Sequence, residues 1–334
     1  MNVLITGVAG FLGAALARAL LDRGNHVTGI DNLNNYYDVE LKKARLNSLK
    51  EGNGVSFLKL DVSRRDDIEN LFANASFDLV LHLAAQAGVR HSIENPTAYI
   101  DANLVGFGNI LEGCRQHDVP QLVYASSSSV YGGNTKLPFA ESDQVDHPVS
   151  LYAATKKANE LMAHAYSNLY GLRATGLRFF TVYGPWGRPD MALFTFTRNI
   201  LAGESIPVYN HGQMSRDFTY IDDIVEAVIR VIDAVPRDLK RKNLMHELEA
   251  APHQIYNVGY GARVQLMDFI AALENCLGRK VKIDFLPIKK GEVLATEADV
   301  TKLESDFGYR PRVKIEEGIA CFVAWYRAYY GIKD

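Results

Sequence analysis

Tyr152 and Lys156 stand four residues apart in Leu151-Tyr-Ala-Ala-Thr-Lys156, with Ser127 upstream. On a helix that spacing puts a phenol and an ammonium on one face. A phenol of ordinary pKa near 10 is a poor base at neutral pH, but a neighbouring cation favours its phenolate. Tyr152 is therefore the candidate proton acceptor, with Lys156 expected to bring it toward the working range. The same spacing also fits a solvated pair on a surface helix, so the elements that carry these residues have to decide.

Over the first half of the chain, short apolar runs alternate with helical patterns: Val3 to Thr6, His26 to Ile30, Ser56 to Leu60, Leu79 to Leu83, Leu122 to Ala125 and Ala174 to Arg178. Unbroken apolar strands separated by helices predict a parallel sheet covered on both faces, a doubly wound α/β fold. After about Thr181 the texture changes to Gly-, Pro- and Asp-rich loops with shorter elements, among them helices at Asp222 to Val235 and Leu266 to Leu277. This predicts residues 1–180 as a dinucleotide-binding domain and 181–334 as a smaller α/β substrate lobe. Segments near 215–235 and 254–260 are expected to rejoin the first domain. The stretch from Arg237 to His253 reads as a variable excursion, and its Arg237-Asp-Leu-Lys-Arg-Lys242 as a solvated loop.

The first strand runs into Gly7-Val-Ala-Gly10-Phe-Leu-Gly13 and then into a helical pattern from Ala14 to Arg23. Glycines there permit a tight turn and close approach of the backbone to a pyrophosphate, which the helix N-terminus attracts with free N–H groups. A P-loop is disfavoured because no Gly-Lys-Ser/Thr follows; three glycines also occur in plain turns. The second strand ends at Asp31, where a carboxylate would bind ribose hydroxyls and repel a 2′-phosphate, so NAD is preferred to NADP. Asp61-Val62 either meets the adenine edge or caps the helix from Arg64 to Phe72. Small residues in Leu83-Ala84-Ala85-Gln86 would let the backbone approach the nicotinamide ribose. His82, inside an apolar strand, reads as a core histidine.

At 334 residues and 48% hydrophobic the chain can bury a full core. A net charge of −3 without a long basic run argues against a polyanion-binding protein. Cys114, Cys276 and Cys321 are odd in number and share no metal-ligand spacing, as expected of reduced thiols with no metal site. No secretion signal or bilayer-spanning apolar stretch is evident, and a soluble, cytoplasmic location is expected.

In order along the chain, Gly7-x-x-Gly10-x-x-Gly13, Asp31, Asp61-Val62, Leu83-Ala84-Ala85, Ser127 and Tyr152-x-x-x-Lys156 resemble the extended short-chain dehydrogenase/reductase family over nearly the whole length. The longer strings Gly29 to Asp38, Gln86 to Pro96, Arg178 to Met191 and Tyr209 to Asp223 are most similar to its UDP-glucuronate 4-epimerase branch. The resemblance implies a Rossmann domain with tightly bound NAD, and adds Phe11, Leu12, Asn32, Gln86 and Asn103 to the cofactor set. It implies that Tyr152 takes the proton of the sugar 4-hydroxyl while hydride passes to NAD, that Ser127 bonds the same oxygen, and that Lys156 also holds the nicotinamide ribose. Val208, Tyr209 and Asn210 should line the uridine, and Arg216 the diphosphate unless it pairs with Asp217 or Asp222. Relatives carry an Arg/Gln-Pro-Gly-Asp segment where this chain has Lys289-Lys-Gly-Glu292, so Lys289 would meet phosphate without guanidinium fork geometry.

Related dehydratases place an Asp-Glu pair directly after the catalytic hydroxyl residue, where this chain has Ser128-Ser129, which disfavours dehydration. A 4-keto uronic acid is a β-keto acid, and Arg188 with Ser128, Ser129 and Thr181 is expected to hold its carboxylate near the carbonyl plane, unless Arg188 is a loop ion pair with Asp190. UDP-galactose/UDP-glucose 4-epimerase, UDP-glucuronate decarboxylase and a non-catalytic NAD-binding scaffold are the competing readings. The helices around Asn103 to Cys114 and Tyr152 to Tyr170 carry apolar residues on more than one face, such as Leu161, Ala165 and Leu169. Family members pair through such helices as a four-helix bundle, so a homodimer is expected; burial under the second lobe is the alternative.

Overall fold

Alternate residues of β1 (Asn2–Thr6) face opposite ways: Val3 and Ile5 pack into one core and Leu4 into another, all fully buried. A strand with two apolar faces needs cover on both sides. In the computed structural model, which describes residues 1–50, 54–235, 251–288, 291 and 293–332, it has both. With β2 (His26–Ile30), β3 (Ser56–Leu58), β4 (Leu79–His82), β5 (Leu122–Ser127), β6 (Ala174–Phe179) and β10 (His253–Val258) it forms a parallel sheet of order β10-β6-β5-β4-β1-β2-β3. On one face lie α1 (Phe11–Asp22) and α9 (Ile221–Asp233), with Leu49 after α2 (Val39–Ser48) and Leu303 of α11 (Thr301–Phe307). On the other lie α3 (Arg65–Ala73), α6 (Gly106–Gln116) and α7 (Leu151–Tyr170). Two short helices, α4 (His91–Glu94) and α5 (Pro96–Tyr99), lead into α6. The strand order reverses between β1 and β4, which opens a crevice at the carboxyl ends of the strands.

The chain leaves this sheet at β7 (Thr181–Tyr183), which pairs with β9 (Ser215–Tyr220) and through it with β11 (Arg263–Gln265). A second small sheet pairs β8 (Ser205–Tyr209) with β12 (Lys282–Leu286). Their shared core is aromatic and aliphatic, built with α8 (Ala192–Ala202), α10 (Leu266–Leu277) and α12 (Ile315–Tyr330).

Several ends differ from the sequence pattern. β5 continues past Ala125 to Ser127 because its backbone stays paired with β6, Ser126 with Arg178 and Ser127 with Phe179. α1 begins at Phe11, with Gly13 inside its first turn, where the glycines had suggested a loop. β3 stops at Leu58 and β4 at His82, which frees Leu60 and Leu83 to turn toward the crevice. The 237–242 loop, most of the 237–253 excursion, Lys289 and Glu292 lie outside the described residues, while His253 opens β10. Leu161 and Leu169 on α7 are 59% and 60% exposed, so the lobe does not bury them. Among the described residues no helix is long and apolar enough to cross a membrane, and no group of three His, Cys, Asp or Glu is placed to hold a metal.

Candidate active site

The crevice holds a cavity of about 450 Å³. At one end the β1–α1 turn is built to a backbone limit. Gly7 has φ +73°, and a Cβ there would stand 2.8 Å from the Ala84 amide nitrogen. A Cβ on Gly13 would collide with the Gly7 carbonyl oxygen, so strand and helix approach as only glycine allows. Gly10 is the N-cap of α1 and supplies no side-chain cap, and Phe11, Leu12 and Gly13 of the first turn line the cavity with Gly7 and Gly10. An uncapped N-terminus of a twelve-residue helix at a cavity wall fits a dinucleotide pyrophosphate.

Asp31 lines the same wall. Its carboxylate accepts from the backbone N–H of Leu33 (2.8 Å) and Ala9 (3.2 Å), and burial raises its pKa against those bonds and the charges of Lys42 and Arg45. Asp61 does not cap α3, whose N-cap is Arg64. It accepts instead from Asn32 Nδ2 at 2.8 Å and from the Ser63 amide and hydroxyl at 2.9 and 2.7 Å. Burial raises its pKa, but those bonds outweigh it and leave the carboxyl below its ordinary range. Val62, Leu83, Ala84, Ala85 and Gln86 complete this side of the lining. Asn103 does not line it: buried beneath, its amide accepts from the Gln86 N–H (2.8 Å) and donates to the Gln86 carbonyl and Thr155 (both 3.0 Å). His82 is a core histidine, fully enclosed and bonded to the Thr6 hydroxyl at 2.9 Å; burial pushes its pKa down to about 3, so it stays neutral.

Ser127 ends β5, and Tyr152 and Lys156 occupy the first turns of α7, whose N-cap Ser150 accepts from the Ala153 N–H. All three line the cavity, as do Ser128, Ser129 and Thr181. The Ser127 hydroxyl bonds the Ser129 hydroxyl and accepts from its N–H, both at 3.1 Å. Lys156, expected to favour the Tyr152 phenolate, makes its hydrogen bond to the backbone of β5 instead of to the phenol. Its ammonium is 2% exposed, donates to the Ala125 carbonyl at 2.9 Å, and is itself pushed down to about 8 by burial. Burial raises Tyr152, and the groups that pull it back are the Ser127 hydroxyl and the Arg188 charge. One turn beyond Lys156, buried Glu160 forms a bidentate pair with Arg178 (2.8 and 2.9 Å) and accepts from Ser126 at 2.6 Å. A buried pair is worth its desolvation only when its geometry is this complete, and this one ties α7 to the ends of β5 and β6.

Arg188 lines the cavity near Tyr152, and the loop ion pair is present as well: Nε and Nη2 donate to Asp190 at 3.0 and 2.5 Å. Burial lowers the Arg188 pKa, but Asp190 outweighs it and holds the guanidinium charged. The lobe residues expected to meet the nucleotide are not gathered into the cavity. Val208 and Tyr209 end β8, with the Arg90 guanidinium over the Tyr209 ring at 4.9 Å, and Asn210 Nδ2 donates to the Gln213 carbonyl. Arg216 Nη1 donates to the carbonyls of Ser215 (2.9 Å) and Leu294 (3.1 Å). Residue-type reasoning missed Asn34, Tyr36, Tyr37 and Lys42 in the lining, and buried Arg45 behind it. A signal was available: Leu41, Lys42, Arg45 and Leu46 form one buried stripe of α2, with two cations at core spacing.

Residues 3–259 match the family described as NAD dependent epimerase/dehydratase. Protein CapI of Staphylococcus aureus is 51% identical over 333 residues, covering 99% of each chain. A probable UDP-glucuronate 4-epimerase of Rhizobium meliloti is 46% identical over 334 residues, 99% of this chain and 98% of that one. The crystal structure of UDP-glucuronic acid 4-epimerase from Bacillus cereus, in complex with UDP-glucuronic acid and NAD, superposes with a TM-score of 0.88 at 30% identity over 99% of this chain and all of the other. The chain thus belongs to the NAD-dependent epimerase/dehydratase family, within the extended short-chain dehydrogenases/reductases.

Proposed function

We propose that the protein is an NAD-dependent isomerase that interconverts UDP-glucuronate and UDP-galacturonate by inverting C4 of the sugar. The observation that carries this reading is one cavity with an uncapped glycine turn at one end and Ser127, Tyr152, Lys156 and Arg188 at the other. When bound, NAD would supply a hydride acceptor, and then donor, at C4. Tyr152 takes the proton of the 4-hydroxyl and later gives it back, Ser127 bonds the same oxygen, and Lys156 turns its remaining N–H donors to the nicotinamide ribose. The Asp31 carboxylate bonds the adenosine ribose hydroxyls and disfavours a 2′-phosphate.

Arg188 determines which sugar is used. The C6 carboxylate sits on C5, beside the reacting carbon, and the Arg188 guanidinium lines the same cavity as the Tyr152 phenol. With Ser128, Ser129 and Thr181 it holds the carboxylate close to the plane of the C4 carbonyl, where the bond to C5 cannot align with the π system and carbon dioxide is retained. A neutral hexose offers nothing to that cation, which disfavours UDP-glucose as the main substrate. Residues 1–180, rejoined by α9 and β10, would hold the cofactor; β9, expected to rejoin them with 215–235, pairs instead with β7 and β11 in the lobe, which would hold the UDP moiety through Val208 to Asn210 and Arg216. Exposed Leu161 and Leu169 on α7, with Ile100 and Val105 ahead of α6, support pairing of two copies in a four-helix bundle.

The test is product analysis from purified protein given UDP-glucuronate or UDP-glucose, beside mass analysis of released nucleotide. UDP-galacturonate is expected as the main product, with NAD released on denaturation. UDP-xylose with carbon dioxide, or faster turnover of UDP-glucose, would overturn the reading.

A further inference from the structure

We propose that Tyr36 is a positioning residue for sugar selectivity, acting through Asp190 to aim the Arg188 guanidinium at the substrate carboxylate. The proposal rests on the reading of Arg188 given above. Arg188 sits in the irregular connection between β7 and α8, and its ion pair with Asp190 has side chains 23% and 30% exposed. The pair is only partly buried and lies within one irregular loop, so its direction depends on what holds Asp190. Asp190 takes the Nε and Nη2 donors, so the direction of the remaining Nη1 edge follows wherever Asp190 is held.

Tyr36 holds it. Its hydroxyl donates to Asp190 Oδ2 at 3.2 Å, from the segment that leaves β2 just after Asp31. The ring is seated against His91 at 4.8 Å and Tyr37 at 6.2 Å, so the hydroxyl is delivered from a packed platform. Burial and the Asp190 charge push the phenol up to about 12, which keeps it a donor at every working pH. The same segment hangs the base of the Arg188 loop. Arg45 bonds Tyr37 Oη (2.7 Å) and the Ala9 carbonyl (3.0 Å) on one side, and the Trp186 (2.7 Å) and Gly187 (3.2 Å) carbonyls on the other. The loop that carries the carboxylate partner is thus moored to the turn beside the cofactor wall, with Tyr36 as its outermost tie. Tyr36 lies in Gly29 to Asp38, a string to which the proposed chemistry gives no other role beyond Asp31 and Asn32.

The experiment uses the holoenzyme and compares KM for UDP-glucuronate with the inhibition constant of UDP-glucose, which shares everything but the carboxylate. In Tyr36→Phe the ring and its packing stay and only the tie is cut. The ratio should shift against the uronate by about five- to tenfold, through KM rather than kcat. Asp190→Asn, which keeps the Tyr36 bond but removes the anion under Arg188, should move the ratio the same way. Tyr36→Phe added to Arg188→Ala should change nothing further, since both act on one contact. If Arg188→Ala loses the preference while Tyr36→Phe and Asp190→Asn keep it, the positioning role is overturned and Arg188 stands. If Arg188→Ala itself keeps the preference, the reading of Arg188 falls and takes this role with it.

Discussion

In the half built on the seven-stranded sheet, the site residues stand at strand ends fixed by parallel pairing: Gly7 after β1, Asp31 after β2, Leu83 after β4 and Ser127 at the end of β5. In the lobe, the residues assigned to the nucleotide stand on two- and three-stranded sheets and loops, and the cavity does not include them. A parallel strand buried on both faces cannot slip without repacking two close-packed cores, so the first half holds its site residues in a fixed register. The lobe's smaller sheets are joined to the rest by β9, which runs straight into α9, and by irregular connections such as 184–191. Chemistry needs the first kind of support, whereas holding a flexible diphosphate tolerates the second. The two halves should therefore fail differently when cut.

The deepest cut is Tyr152→Phe. Removing the proton acceptor should lower kcat by about a thousandfold, while nucleotide released from the purified protein stays near the wild-type amount. A variant that loses bound NAD along with activity would mean that the phenol supports the cofactor rather than the reaction, which would break the contrast. Next is Arg216→Ala, in the lobe. Loss of a charge-assisted contact to phosphate should raise KM for UDP-glucuronate, and the inhibition constant of UDP, by about ten- to hundredfold with kcat little changed. A fall in kcat of that size would place Arg216 with the reacting groups instead.

The same contrast explains what could be read without coordinates. The strands of the first half announce themselves because burial on two faces demands apolar runs, and Leu79, Val80 and Leu81 have no other reading. Ser127, Tyr152 and Lys156 are legible by spacing, and cavity lining by all three follows from strand and helix ends. What escapes is contact between distant segments. Tyr36 meets Asp190 across 154 residues, and Arg45 meets the Trp186 carbonyl across 141, a partner with no side-chain signature at all. Asn103 escapes for the opposite reason: a residue type suited to a ligand is spent on the backbone of Gln86. Spacing puts Lys156 and Tyr152 on one helix face but leaves the direction of a flexible ammonium open, and here the Ala125 carbonyl captures its hydrogen bond.

That capture gives the smallest effect and the finest test of the first half. Burial pushes Lys156 down to about 8, so in the ligand-free protein it loses its proton above that pH. The neutral amine has one N–H fewer and no charge, and with one donor already on Ala125 it offers less to the nicotinamide ribose. NAD affinity of the ligand-free protein should therefore weaken as pH rises from 7 to 9, by no more than about tenfold per pH unit above 8. Fold stability should move the other way. The folded-state pKa lies below that of the unfolded lysine, so between about 8 and 10.5 the unfolded chain binds more protons and this group's contribution to stability rises with pH. Opposite slopes in NAD titration and thermal melting are a signature that general alkaline damage does not produce, since damage lowers both. Lys156→Met should flatten both slopes. If it leaves the affinity slope intact, the titrating group lies elsewhere, and the ammonium at the end of β5 is a structural tie rather than a cofactor contact.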